Sequence, residues 1–123
     1  MKVEVRELRI GNLIGCDGNI LIVEKIDIQN NIGYSLFEKS KGQHVNSGNK
    51  YYIPLTEEWL LRFRFKHTGN GFYIHIESLI ELANIGDSFF HCGIKGVSLR
   101  NVHFVHELQN LYHALTGTEL ILK

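Results

Sequence analysis

The dipeptide Asp17-Gly18, which stands between two apolar segments, constrains the fold of this chain more than any other feature. Asp-Gly tolerates the positive φ angles of a tight type I′ turn, so the flanking segments are predicted to pair as an antiparallel hairpin. A polar turn at 29–31 leads to another apolar segment, and the chain's only proline, Pro54, ends a further one. The sequence therefore predicts short strands at about 12–16, 19–28, 32–37 and 50–53.

The segment between the third and fourth of these strands, residues 38–49, is polar and rich in Gly, Ser and Asn. Such a composition is typical of a surface loop. Several short strands with tight turns in so few residues favour a small SH3-like antiparallel β unit, which we place at 1–53.

The segment "PLTEEWLLRF" carries the signals of a helix start. Thr56 can accept a backbone N–H as the N-cap, and Leu55 and Leu60 are spaced to form a hydrophobic staple. Two glutamates follow the cap, where they meet the positive end of the helix dipole. A short helix is therefore predicted after Pro54.

Glycine-rich turns and short apolar segments fill the stretch from 66 to 102. "KHTGNGFYIHI" has the pattern of a hairpin whose second strand covers 72–76. Three further apolar segments between 78 and 102 predict more antiparallel strands of a meander, although "SLIELA" is also compatible with one helical turn. No order of these strands follows from the sequence.

The segment from Phe104 to Thr116 has the period of an amphipathic helix, and Gly117 follows where a left-handed residue ends helices. At ~100° per residue the apolar side chains fall on one stripe. Its members are Phe104, Val105, Leu108, Leu111, Tyr112 and Leu115. A C-terminal helix packed on the sheet is predicted.

On the same projection His106, Asn110 and His113 lie almost opposite the apolar stripe, which predicts an outward line of polar side chains. This line is either a solvated face or a binding surface. Two of its histidines are ~10.5 Å apart along the axis, too far to share one ion. His103 and His106 could share a metal only with ligands from elsewhere, and "HELQN" lacks the second histidine of the zinc-hydrolase motif. No metal or cofactor is predicted.

Arg62, Arg64 and Lys66 form a basic cluster with aromatic residues interleaved, a composition typical of proteins that bind single strands. The alternative is that the aromatic side chains belong to the core and the cations to a solvated face. Thirteen basic and thirteen acidic residues cancel, so no global field favours a nucleic acid or an anionic membrane.

The 123 residues suit one domain, divided into the β unit at 1–53 and a second part at 54–123. Cys16 and Cys92 belong to no motif and are predicted to be reduced, buried thiols. No 18-residue apolar run and no signal-peptide pattern is found, so we expect a cytoplasmic protein without membrane contact.

Two stretches, "IPLTEEWLLRFRF" at 53–65 and "VHFVHELQNLYHALTGTEL" at 102–120, resemble the hallmark segments of a family of small uncharacterised proteins from Bacteroides-type bacteria, their phages and mobile elements. The N-terminal "LRIGNLI" is similar to that family's opening. In the family the helix after "PLTEEWLL" typically ends at a glycine, whereas this chain has Arg64. The resemblance implies a compact accessory protein of a prophage or mobile element, and it implies no activity and no catalytic residues.

The sequence thus favours an α+β protein that acts as a non-enzymatic interaction module with an unidentified protein partner or with further copies of itself. The motivating observation is that every strong local signal is a cap, a turn or a core stripe. Nucleic-acid binding through the basic cluster and metal-dependent hydrolysis through His103 and His106 are the alternatives.

Overall fold

The computed structural model describes residues 8–16, 18–27, 29, 31–37, 50–85 and 89–122. The chain divides into two compact units, Met1–Ile53 and Pro54–Lys123. The predicted loop at 38–49 and Asp17 of the predicted Asp17-Gly18 turn lie outside the described residues. Within the described residues, no helix is long and apolar enough to span a membrane.

The first unit contains a four-stranded antiparallel sheet, as the hairpin signal predicted. The hairpin partners Cys16 and Asn19 face each other across the turn, and Gly18 has a φ of +83°. Apolar side chains on the strands, including Leu13, Ile14 and Leu21, are fully buried. The strands are β1 (Leu13–Cys16), β2 (Asn19–Ile26), β3 (Ile32–Leu36) and β4 (Lys50–Tyr51), in the order β3-β2-β1-β4.

The second unit begins with the predicted short helix, α1 (Glu57–Arg62). The hydroxyl of Thr56 accepts the backbone N–H of Trp59 at 3.4 Å, which confirms the N-cap. The helix ends where Arg64 takes a φ of +71°, in the left-handed region that glycine favours.

A five-stranded antiparallel meander follows, with the strands in chain order. The predicted hairpin at 66–76 and the three later strands are confirmed. "SLIELA" forms a turn and then a strand rather than a helical turn, because Ile80 and Leu82 alternate into the core. The strands are β5 (Phe65–Gly69), β6 (Phe72–His75), β7 (Ile80–Asn84), β8 (Phe90–Ile94) and β9 (Val97–Val102).

The C-terminal helix, α2 (Val105–Thr116), begins and ends as predicted. A Glu107 carboxylate oxygen accepts the backbone N–H groups of His103 at 2.7 Å and Phe104 at 3.1 Å, so two N–H groups at the helix start are satisfied. Gly117, with a φ of +76°, donates its N–H to the His113 carbonyl at 2.8 Å. The helix contacts the sheet through Tyr112, whose ring meets that of His75.

The buried face of α2 differs from the predicted stripe. Val105, Leu108 and Tyr112 are buried as expected, but His106 and Gln109 are also buried, while Leu115 is 41% exposed. The true buried face is thus rotated about the helix axis toward His106.

The prediction that His106 faces outward is therefore wrong, since its side chain is 1% exposed. The start of α2 lies beside a second segment as well as the sheet. The Leu55 N–H donates to the His103 carbonyl at 2.9 Å, and Pro54 forms an isolated bridge with Phe104. Because the helix start has neighbours on more than one side, burial there is not limited to the apolar stripe.

Candidate functional site

Three polar side chains form a hydrogen-bonded line on the sheet of the second unit. His91 on β8 lies between Asn101 and Ser98 on β9. The Asn101 Oδ1 atom is an acceptor only, so the Nδ1–H of His91, 2.8 Å away, donates to it. The other ring nitrogen, Nε2, then carries a lone pair and accepts a hydrogen bond from the Ser98 hydroxyl. We call these three side chains, which follow one another as hydroxyl, imidazole and amide, the Ser98 line.

A β-bulge brings these three residues to one face. Along β8 and β9, Cys92 pairs with Arg100 but Gly93 pairs with Ser98, so Leu99 is the extra residue. Without it, Arg100 would stand opposite His91 and Asn101 would point to the other face. Gly93 is required at this point, because a Cβ atom there would lie 2.8 Å from the Val97 carbonyl oxygen.

The Ser98 line lies on the face of the sheet that points away from the buried side chains, which we call the outer face. Cys92 is fully buried, and its neighbour His91 points to the opposite face because successive side chains alternate along a strand. Ser98 and Asn101 are exposed and His91 is half-buried. The line is therefore accessible to solvent.

Apolar and charged side chains share the outer face. Phe72 lies in one cross-strand row with Ala83 and His91 and is 52% exposed. Lys66 and Glu81 flank Ile74 in one cross-strand row, and both are exposed. The outer face thus combines exposed apolar area with one charge of each sign.

A second histidine, His75, lies on the inner face of the same sheet and is 4% exposed. Its ring lies 5.2 Å from those of Phe65 and Tyr112, centroid to centroid. The Ser78 backbone N–H donates a hydrogen bond to Nδ1 of His75 at 3.3 Å, which shows that Nδ1 carries a lone pair. The same atom accepts a hydrogen bond from the Ser78 hydroxyl at 2.9 Å. Burial lowers the pKa of His75, and the nearby positive charge of Arg64 acts in the same direction while Glu77 opposes both.

The predicted outward line on α2 is not formed as a set. His106 is buried against the Phe104 ring, with the two rings stacked at 5.9 Å and an interplanar angle of 20°. Asn110 and His113 are half-buried. A binding role for these three residues stays a prediction, and His106 can contribute to it only from within the core.

His103 and His106, the pair considered for a metal, have different surroundings. His103 stacks on Phe89 at 5.1 Å, and its Nδ1 atom lies 3.8 Å from the Glu107 carboxylate. Across the described part of the chain, no group of three or more His, Cys, Asp or Glu side chains could hold a metal ion.

The basic cluster lies at the end of α1 and the start of β5. Arg62 covers the Trp59 ring, with its guanidinium carbon 4.8 Å from the ring centroid, while Arg64 and Lys66 are exposed. The interleaved Phe63 and Phe65 are buried in the core. These two aromatic rings are therefore not available for stacking on bases.

Both cysteines are free and buried, as predicted. Burial raises the pKa of the Cys92 thiol to about 11, so the thiol stays protonated at neutral pH. Cys92 is accordingly not a nucleophile under those conditions.

Comparison with protein-family models, with curated proteins and with solved structures finds no match for this chain.

Proposed function

We propose that this protein is a non-enzymatic interaction module and that its outer sheet face binds a second copy of the same chain. The observation that supports this most is the exposure of Phe72 on this face, where the residue is 52% accessible to solvent. Exposed apolar area of this kind marks interaction surfaces in folded proteins.

The charges on the outer face favour a copy of the same chain as the partner. A two-fold interface places the same surface on both sides, so each charge needs its opposite on that same surface. Lys66 and Glu81 provide the pair, one on either side of Ile74. The net charge of zero adds no long-range repulsion between copies.

The polar centre of the face is compatible with being covered. Covering a polar group is costly mainly when its hydrogen bonds to water are lost without replacement. The three side chains of the Ser98 line already bond to one another, so a partner that covers them leaves these bonds intact. Two sheets stacked about 10 Å apart would bury the face in this way.

Sedimentation velocity over a range of protein concentrations tests the proposal. We expect the native chain to associate and Phe72→Ser to stay monomeric, while Ile10→Ser, which changes an equally exposed residue of the first unit, associates like the native chain. Lys66→Glu is expected to weaken association and Lys66→Glu with Glu81→Lys to restore it. A native chain that is monomeric at every concentration, or equal effects of the two serine variants, would contradict the proposal.

Nucleic-acid binding through Arg62, Arg64 and Lys66 is the alternative function. The exposure of Arg64 and Lys66 supports it, and the burial of Phe63 and Phe65 weighs against recognition by stacking. Retention of the native chain on single- or double-stranded nucleic acid at low salt, lost at high salt and in Arg62→Glu, would favour this alternative over self-association. The further alternative, a metal hydrolase, requires a stoichiometric metal in the purified protein.

We also propose that the first unit is a small SH3-like barrel and that the protein serves a prophage or mobile element. The short antiparallel strands in the order β3-β2-β1-β4 support the first proposal. The second rests on the resemblance of the segments at 53–65 and 102–120. The gene neighbourhood tests it directly.

A further inference from the structure

The Ser98 line has the arrangement that activates serine nucleophiles. Such sites need a hydroxyl bonded to a basic nitrogen, and a third group that holds the base in the required tautomer. The Asn101 oxygen fixes the proton of His91 on Nδ1, which leaves the lone pair of Nε2 directed at the Ser98 hydroxyl. His91 can therefore take the proton of Ser98 without first changing its tautomer.

The surroundings leave the hydroxyl open to a reagent. Ser98 is exposed and pairs across the strands with Gly93, which has no side chain. His91 pairs on its other side with Ala83, a small residue. The residues that pair with Ser98 and His91 on the neighbouring strands, Gly93 and Ala83, are thus small.

We propose that Ser98 is a nucleophilic serine that accepts an acyl group from small activated esters, with His91 as its general base and Asn101 as a positioning residue. In this step the Ser98 Oγ atom forms a bond to the ester carbonyl carbon, and the bond from that carbon to the leaving oxygen breaks. The Ser98 proton passes to His91 Nε2 and then to the leaving oxygen. The products are an ester of Ser98 and one alcohol or phenol.

A buried pair in the same unit provides a matched comparison. The Ser78 hydroxyl is 2.9 Å from Nδ1 of His75, so it also contacts an imidazole. His75 is 4% exposed and lies among aromatic rings, where a reagent does not reach it. Accessibility therefore distinguishes the two serines.

The test uses the full chain with p-nitrophenyl acetate. We expect a burst of one equivalent of p-nitrophenolate per chain, a mass increase of one acetyl group, and the acetyl group on Ser98 in peptide mapping. Ser98→Ala is expected to abolish the burst, and Ser78→Ala to leave it unchanged. His91→Gln is expected to slow acylation about 100-fold because the general base is lost.

Asn101 is tested as a positioning residue by rescue. Asn101→Ala is expected to slow acylation about tenfold, the effect of one hydrogen bond, and Asn101→Asp to restore the rate because its carboxylate also accepts the Nδ1–H. Equal rates in the native chain and Ser98→Ala, acetyl groups on lysines alone, or no burst from a native chain with an intact circular dichroism spectrum would each overturn the proposal.

Acylation of Ser98 and association through the outer face are different properties, and they are measured separately by the burst and by sedimentation. Association through the outer face would cover Ser98, so the burst is measured at a protein concentration at which sedimentation shows a monomer. Ile10→Ser, which changes an exposed residue of the first unit that belongs to neither site, is expected to keep the burst.

Discussion

The ring of Tyr112 on α2 meets the ring of His75 on β6 edge to face, with their centroids 5.2 Å apart and their planes at 76°. This contact joins the C-terminal helix to the inner face of the sheet through a residue that can carry a charge. Nδ1 of His75 accepts two hydrogen bonds from Ser78, and these bonds favour the neutral form of the ring.

We expect the free energy of unfolding to fall as the pH falls below about 6.5, the ordinary pKa of histidine. Burial lowers the pKa of His75 in the folded chain, so the unfolded chain binds the proton first and acid favours unfolding. The stability due to neutral His75 is complete above the unfolded pKa and is lost as the pH falls toward the folded one. Urea unfolding at several pH values between 5 and 8 measures this change in the free energy of unfolding.

His75→Phe provides the comparison, because it keeps an aromatic ring and removes the titration. The variant is expected to show a smaller pH dependence in this window than the native chain. Equal pH dependence in both would show that His75 is not the group responsible.

Arg64→Gly is expected to stabilise the protein by about 1 kcal/mol, because a left-handed residue other than glycine is strained by its Cβ atom. The φ of Arg64 is +71°. Arg64→Ala is the matched control, since alanine removes the charge and keeps the Cβ atom. Denaturant midpoints compare the three chains, and equal gains from glycine and alanine would contradict the backbone explanation.

Glu107→Ala is expected to cost about 1–2 kcal/mol, because the side chain accepts two backbone N–H groups at the start of α2. It also forms an exposed ion pair with Arg100 at 3.3 Å, which contributes little. Glu107→Gln separates the two effects, since the amide oxygen still accepts the N–H groups while the charge is lost. We expect most of the stability to remain in this variant, as measured by thermal unfolding.

Tyr73 is expected to titrate near pH 12, well above an ordinary tyrosine. Burial is the main cause of the raised pKa, and the hydrogen bond from its hydroxyl to Glu57 adds to it. The stability due to neutral Tyr73 is complete below about pH 10, the unfolded pKa, and is lost as the pH rises through the folded one. Absorbance titration of phenolate measures the effect.

Glu57→Gln tests the order of these causes. We expect the pKa of Tyr73 to fall in this variant and yet to stay above that of free tyrosine, since burial persists. A return to the ordinary value would mean that the carboxylate, and not burial, is the main cause.

The sequence by itself determined the local elements of this protein. Thr56 caps α1 because its hydroxyl is three residues from an N–H that has no partner within the helix, and Gly117 ends α2 because it has no Cβ atom. The hairpin beside Gly18 and the meander follow from turn residues between apolar segments. Each of these depends on residues a few positions apart.

The tertiary structure decided the face of α2 that is buried and the composition of the outer face. His106 is buried because a distant segment at 54–55 lies beside the start of the helix, which the helical period cannot reveal. Ser98 and Asn101 join His91 because one extra residue in β9 changes the register, and alternation alone would have separated them. Both outcomes depend on contacts between residues far apart in the chain, whereas a sequence pattern records only the neighbours along it.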